Sequence, residues 1–511
     1  MSFCCLHAAS YAQKSDLVNR QVLMKIKAEG FDRSKVMETL FQLTDVCGPR
    51  LTGSTGLMRA ETWARQQLTD WGLVNAKLEP WGGFGKGWET QKSYVAMTKP
   101  YYQPLIAVPK AWTPGTNGLL STQVVLVKAT TLSELAPYNG KLAGKIVVIA
   151  PASTEMKMNF KPDAKRYTAE ELSDMESDPR IEDEPENSYT RNREQYRAQA
   201  AMRLKIDSFL LTQQVAAVVG ASRGGSMGTV FTSNGAPYSW NAQPVLPAVE
   251  MALEDINRLT RLLEKGQEVQ LEMDIKNTFL TQDSTAYNVI AEIPGTDKAL
   301  GAEVVMLGAH IDSWHASTGA TDNAAGVAVM MEAVRILKAL KLQPRRTIRI
   351  ALWSGEEQGI HGSRNYVKNH FGDVKTMQLK PAHGRISAYY NLDNGAGKIR
   401  GIYLQGNDAA RPVFEAWLAP FKDLGANTVT IRNTGSTDHV AFDAIGIPGF
   451  QFIQDQLEYF SRTHHTNMDS YDRVNKKDLM QASVIVASLV YNTAMRDEMI
   501  PRKPLPEVKP Q

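Results

Sequence analysis

The stretch Val304-Val305-Met306-Leu307-Gly308-Ala309-His310-Ile311-Asp312 decides the fold. Small and apolar residues run without interruption, as in a strand buried on both faces. The run then delivers a histidine and an aspartate. Three later stretches repeat the arrangement. Arg349–Trp353 runs into Ser354-Gly355-Glu356-Glu357, and Ala388–Leu392 runs into Asp393-Asn394. Phe450–Ile453 is followed by a loop to His464-His465-Thr466. Strands are predicted at 304–307, 347–353, 386–392 and 450–453, and helices at 323–341 and 477–496. This alternation predicts an α/β fold: a mostly parallel sheet with helices on both faces. Such sheets bind ligands beyond the carboxyl ends of their strands, where these polar residues gather.

Upstream, residues 16–78 read as helical. Val36, Leu40 and Leu43 recur at helical spacing, Cys47-Gly48-Pro49-Arg50 breaks the run, and a second helix is predicted over 57–71 with Gly72 as its cap. Residues 81–118 are rich in Gly, Pro and aromatics and predict strands and loops. A second unit is expected from Leu119, with strands at 122–127, 144–149, 215–220 and 269–275 and a helix at 252–265. Within it, residues 161–194 carry Asp174, Glu176, Asp178, Glu182, Asp183, Glu184 and Glu186. They read as a solvated, partly helical excursion, with a lid over a neighbouring site as the alternative. The expected division is 13–118 and 276–498 for the two parts of the sheet domain, 119–275 for an insertion, and 499–511 for a loose tail.

The chain has 511 residues, more than one core usually supports, so two units are expected. With 43% apolar and 22% charged residues it is an ordinary globular composition. Fifty-seven basic against 54 acidic residues leave a net charge of +3, which gives no reason to expect nucleic acid as a partner. No apolar run approaches the ~20 residues of a membrane span. The start, MSFCCLHAASYAQ, is short, apolar and ends in small residues around Ala12. It reads as the remnant of a signal peptide over 1–12, which implies a periplasmic or secreted protein, with a cytoplasmic one as the alternative.

Imidazole and carboxylate together suit zinc. The candidates are His310, Asp322, Glu357, Asp393 and His465. Five protein ligands exceed what one tetrahedral catalytic zinc takes. They fit two metals if one carboxylate bridges, and Asp322, at a predicted helix start, suits that place. Asp312 is placed to accept the second ring N–H of His310. Taken singly, each residue has a bland reading as a surface pair, a solvated face or a helix cap; their conjunction at four strand ends does not.

GAHIDSW, ATDNAAG, WSGEEQGIHGS, NLDN and HHTNMDSYD, in this order, resemble the motifs of the co-catalytic zinc exopeptidases. That family includes bacterial leucyl aminopeptidases and glutamate carboxypeptidases, with the plasma glutamate carboxypeptidases the nearest in pattern. The resemblance covers about residues 47–496. It implies a zinc exopeptidase-like fold in which 119–275 is an inserted protease-associated domain. It implies two Zn2+ ions, with manganese or cobalt able to substitute. His310 and Asp393 would hold one, Glu357 and His465 the other, and Asp322 both. Glu356 would be the general base and Asp312 would orient His310. A cis peptide at Asp322–Asn323 is implied too. Relatives use a tyrosine to stabilise the oxyanion; here His464 is the candidate replacement and Tyr459 a weaker one. Ser436, Thr437 and His439 lie in a stretch similar to a substrate-binding loop, with a structural loop as the alternative.

The implied activity is hydrolysis of short peptides by an aminopeptidase or dipeptidase. A carboxypeptidase is the alternative; it would need a cation for a free carboxylate, and Arg432, Arg462 and Arg364 are candidates. A receptor-like module on the same fold would lack metal ligands, which this chain retains. The resemblance leaves a homodimer open.

Overall fold

The computed structural model describes residues 18–151, 155–156, 158–180 and 193–506, with the side chains of 193–200 left aside. Residues 1–12 and most of the acidic run after Arg180 lie outside that set. The first of two sheets has the order β1 (Val74–Gly83), β10 (Thr285–Ile293), β12 (Thr347–Trp353), β11 (Val304–His310), β15 (Ile386–Asn391), β18 (Gly449–Gln454), β16 (Ile399–Tyr403) and β17 (Thr428–Thr430). The four central strands, β12, β11, β15 and β18, run parallel, as expected from their uninterrupted apolar sequences. β1 and β10 add to one edge antiparallel, and β18 pairs antiparallel with β16 on the other side. The sheet is therefore mixed beyond its parallel centre. β10, β16 and β17 carry no clear sequence signal because outer strands need less continuous apolar sequence.

Helices cover both faces. The helix Ala325–Ala339 is buried from Ala325 to Leu337 and packs beside Lys476–Met495 on one face. Burial of each large aliphatic side chain there is worth about 1.5–3 kcal/mol. The helix Arg20–Asp32 closes onto Lys476–Met495 at Gly30, where a Cβ would stand 2.4 Å from Val484 Cγ2. Only glycine permits that approach. On the other face lie the helices His361–His370 and His439–Asp443.

The second sheet has the order β3 (Gln103–Pro104), β2 (Gly87–Lys99), β9 (Gln270–Leu280), β5 (Leu120–Val127), β6 (Ile146–Ile149), β7 (Ala217–Ala221), β8 (Ala248–Met251) and β4 (Ala107–Pro109). A two-stranded ribbon, β13 (Gly372–Asp373) with β14 (Gln378–Leu379), completes the strands. The second sheet begins at Gly87, not at Leu119, and runs to Leu280, not to Ile275. Its limits follow from pairing. Gly83 faces Thr285 at the end of the β1–β10 ladder, and Gly87 faces Leu280 at the start of the β2–β9 ladder. The chain leaves and re-enters the first sheet between neighbouring strands. Sequence pattern finds strands in 81–118 but cannot say which sheet they join.

Two further expectations are corrected. Residues 74–83 form β1, so the helical stretch ends with Thr55–Asp70. The tail is fastened through Lys503. Ile500 is buried, Arg502 donates to the carbonyls of His383 and Ile386, and Lys503 Nζ lies 2.7 Å from Asp443.

Candidate metal centre

Four parallel strands end on the same side of the first sheet, and each presents its polar residues there. His310 is the last residue of β11, Glu356 and Glu357 follow β12, Asp393 follows β15, and His464 and His465 follow β18 across the turn Tyr459–Thr463. The five expected ligands converge. His310 Nε2 lies 3.3 Å from both Asp322 Oδ1 and Asp393 Oδ1. His465 Nε2 lies 3.2 Å from Asp322 Oδ2 and 3.0 Å from Glu357 Oε2. Thus the two oxygens of one carboxylate, Asp322, face two histidines carried by different strands. Among the described residues, three groups of donor atoms lie close enough to hold a metal: His310–Asp322–Glu357, His310–Glu356–Asp393 and Asp322–His464–His465. None takes a residue from the second sheet.

Asp322 does not cap a helix. It lies in an irregular turn, with φ −129° and ψ 85°, and the helix starts at Ala325 after an Ala324 cap. Its peptide bond to Asn323 is cis. Two other groups hold it instead. Asp469 is buried and accepts Thr321 N–H at 2.7 Å and Asp322 N–H at 3.0 Å. The buried Arg50 donates to the carbonyls of Ile311 at 2.7 Å, Thr318 at 2.6 Å and Gly319 at 2.9 Å. It ties together the loop from β11 to Asp322. Gly319 sits at φ 59° in that loop, with Ser313 Cβ 2.3 Å from where its own Cβ would be. Asp469 lies in HHTNMDSYD and Arg50 in CGPR, but nothing local marks either as facing the site.

Asp312 is placed differently from expectation. His310 Nδ1 lies 3.1 Å from the Asp312 backbone carbonyl and 3.5 Å from its Oδ1, so the carbonyl is the hydrogen-bond partner. The carboxylate accepts Glu356 N–H at 3.3 Å, Glu357 N–H at 3.2 Å and the Thr52 hydroxyl at 3.0 Å. It joins the end of β11 to the turn bearing both glutamates.

The electrostatics fit metal cations. Burial pushes Glu356 well above the ordinary carboxyl range; Asp393, Asp438 and Glu357 add to this and His310 opposes it. Burial, with Asp322, raises Glu357 to about 7. Burial alone would lower His465, but Glu357 and Asp322 outweigh it and raise it to about 10. His310 is raised well above its usual value the same way, by Asp393, Asp312 and Asp322 against burial. Carboxylates crowd these imidazoles, and such a field favours positive charge at this place. Asp322 Oδ2 and Glu357 Oε1 are buried without a hydrogen bond of their own. Unsatisfied buried oxygens beside nitrogen donors are the ligand set that a hard-to-borderline divalent ion satisfies.

Of the remaining candidates, His464 stacks on His465 with ring centroids 3.6 Å apart, and Tyr459 packs 4.8 Å from His464. Burial lowers His464 to about 4, so it is a neutral imidazole. Ser436 is exposed, but Thr437 and His439 are buried. Thr437 accepts a bond from Asn391, and His439 is engaged by Gln405 and the Thr434 carbonyl. Both are structural, which favours the structural-loop alternative. Their neighbour Asp438, passed over in the sequence, accepts from Ser363 and keeps Oδ2 unpartnered in the core beside the site. The three arginines are also spoken for. Arg432 pairs with Asp178, Arg462 with Asp163 and Glu458, and Arg364 donates to Gly359.

Asp163 and Asp178 belong to the excursion from the second sheet. Its helix Ala169–Ser177 places Leu172 and Met175 against Ile453, and Lys165 pairs with Leu457. The segment is docked on the first sheet beside the histidine loop rather than solvated throughout.

Residues 288–490 match the model of Peptidase family M28. Carboxypeptidase Q of Bos taurus is 26% identical over 483 residues, covering 94% of this chain and 89% of that one. The aminopeptidase YwaD of Bacillus subtilis is 29% identical over 259 residues, 50% of this chain and 52% of that one. Among solved structures, a peptidase M28 precursor from Shewanella amazonensis has a TM-score of 0.66 at 24% identity, covering 96% and 99% of the two chains. A zinc aminopeptidase from Bacillus subtilis has a TM-score of 0.53 at 20% identity, covering 89% and 93%. The expected kinship with the co-catalytic zinc exopeptidases is borne out, and the mixed α/β fold is that of the solved relatives.

Proposed function

We infer that this chain, whose residues 288–490 match the model of Peptidase family M28, is a zinc exopeptidase that removes terminal residues from short peptides. The observation that carries the reading is the placement of Asp322 between His310 and His465, one carboxylate oxygen toward each. Two zinc ions held by His310, Asp322 and Asp393 and by Asp322, Glu357 and His465 would supply Lewis acidity and an acidified water. Manganese or cobalt are substitutes of similar ligand preference.

The chain's own residues do the rest. Glu356 lies beside His310 and Asp393 and takes the proton of the attacking water. Glu356 then hands the proton to the departing amine. Neutral His464 offers a ring N–H to the oxyanion of the tetrahedral intermediate, and Tyr459 fixes the ring from behind. Asp312 holds both glutamates in register through their backbone N–H groups.

Residues 87–280 are read as the inserted protease-associated domain, and the protein as one exported to the periplasm or beyond. Among the described residues no helix is long and apolar enough to cross a membrane. The full-length likeness to carboxypeptidases supports the alternative that a free carboxyl end is recognised. Elemental analysis tests the centre: about two zinc per chain are expected, with activity lost on chelation and restored by zinc. A single metal at full activity would sink the shared-carboxylate reading.

A further inference from the structure

The second sheet has a parallel centre of its own. β5, β6, β7 and β8 run in one direction, and parallel strands offer ligands a place beyond their carboxyl ends. A cavity of about 340 Å³ lies there. It opens between Ile149 at the end of β6, Gly220 in β7 and Glu250 in β8, and the helix Arg193–Thr212 covers it with Met202 and Ile206. Gly220 keeps its floor open: a Cβ at that position would meet only the Val249 carbonyl oxygen, at 3.8 Å.

Glu250 lines this space and is 8% exposed. Its Oε1 accepts the Ser233 hydroxyl at 2.9 Å and lies 3.6 Å from Lys110 Nζ. Its Oε2 is buried and has no hydrogen-bond partner among the described residues. A bare buried carboxylate oxygen is costly unless a donor meets it. Lys110 is buried as deeply, and one contact at 3.6 Å leaves its ammonium with N–H groups to offer. Where the cavity narrows toward Lys110 it is lined by Asp207 and Arg203, whose charged atoms stand 4.0 Å apart. Two cations thus face two anions. A ligand of single charge would leave one charge over in a buried place, whereas a ligand carrying both signs would not. The walls contributed by Ile149, Met202, Ile206 and Val218 suit an apolar body.

We propose that this cavity is a second ligand site, apart from the metal centre, and that it binds a free α-amino acid with an apolar side chain, the ammonium on Glu250 Oε2 and the carboxylate on Lys110. The site stands on the geometry of the second sheet and goes beyond the peptidase reading, which adds that such a molecule is what the reaction would release. Ser233, which holds Glu250, directly follows Thr232, whose N–H holds the His465 carbonyl at 2.8 Å. An amino acid bound here therefore sits one residue from the contact between the second sheet and the histidine loop.

Isothermal titration calorimetry on the zinc-loaded full chain tests this, with L-leucine, leucinamide and isocaproate as probes. Leucine should bind wild type at one site per chain that persists in Glu357→Ala. Leucinamide lacks the carboxylate and isocaproate the ammonium, and each should bind at least about 10-fold more weakly. Gly220→Val puts a side chain that suits a strand into the floor and should abolish this binding, with zinc content and dipeptide hydrolysis at the wild-type level. Glu250→Gln should weaken leucine by about 10- to 100-fold. Should that variant fail to fold, Gly220→Val still decides. Leucine binding that survives Gly220→Val and is lost in Glu357→Ala would place the ligand at the metals and overturn the second site, as would no binding to wild type. Isocaproate bound as tightly as leucine would overturn the role of Glu250. Dipeptide hydrolysis by zinc-loaded wild type is read separately: its absence would overturn the peptidase reading, while the calorimetry decides the cavity.

Discussion

Around Arg335 every buried carboxylate meets a guanidinium: Glu29 Oε1 at 2.8 Å and Glu332 Oε2 at 2.7 Å, with Arg33 on the other oxygen of Glu29 at 2.6 Å. Around Asp322 the balance is broken. Asp312, Asp322, Glu356, Glu357, Asp393, Asp438 and Asp469 gather about three histidines and Arg50, whose guanidinium is spent on carbonyls. Both clusters belong to the first-sheet domain, and both are largely buried. One completes its charge within the chain and staples the helices Arg20–Asp32 and Ala325–Ala339. The other leaves negative charge for something the chain does not supply. Buried charge is therefore no sign of a functional site by itself; buried charge without an internal partner is.

The sharpest way to break this contrast is to alter the two adjacent glutamates. On the proposed reading Glu357→Ala removes a ligand, so metal content should fall and turnover with it. Glu356→Gln keeps size and polarity but accepts no proton, so metal content should stay and the rate should fall by about 100- to 10,000-fold. Metal analysis and turnover on both variants check this. The opposite pattern, with Glu356→Gln losing metal and Glu357→Ala keeping it, would put the register off by one.

The contrast also shows why some of the centre was legible in the sequence. His310, Glu357, Asp393 and His465 stand at or after the ends of apolar runs, so one linear rule finds them together. For Asp322 the pattern is right about the residue and wrong about its setting: it predicts a helix start, whereas Asp469 and the Arg50-bound loop hold Asp322 outside the helix. Those supports are non-local: Arg50 stands 261 residues before Ile311, whose carbonyl it holds. No periodicity carries that information. The parallel centre of the sheet was legible from continuous apolar runs, while β10, β16 and the boundary at Gly87 depended on pairing partners.

The self-contained cluster should respond in stability and not in metal content. Arg335→Ala strips the guanidinium from between Glu29 and Glu332 and leaves two carboxylates without their buried partner. Breaking such a pair costs about 3–5 kcal/mol. A denaturant titration should show the loss, with zinc content per folded chain unchanged. A variant of wild-type stability would mean that the cluster is not the staple its geometry describes.

The smallest effect expected is one of pH. Burial would raise the Glu29 carboxyl, but hydrogen bonds from Arg335 and Arg33 outweigh it and hold it below its ordinary value of 4.5. A carboxyl whose folded value is depressed favours the folded state where it is ionised in both states. That contribution is full above about pH 4.5. It is lost as the pH falls from there through the lower folded value, because the unfolded chain then binds the proton first. Glu29→Gln lacks the charge at every pH. At neutral pH it should cost about 1–2 kcal/mol, less than Arg335→Ala, because Arg335 keeps Glu332 and Arg33 is free to turn to water. The gap in stability between wild type and Glu29→Gln should therefore stay level from pH 7 to about 5 and close below about 4.5. Both proteins should be measured without metal and with it, since protonation at the metal centre affects the two alike and cancels in their difference. A gap that persists unchanged to pH 3 would mean that Glu29 contributes by packing, and that the Arg335 cluster is not held by the charge balance that sets it apart from the metal centre.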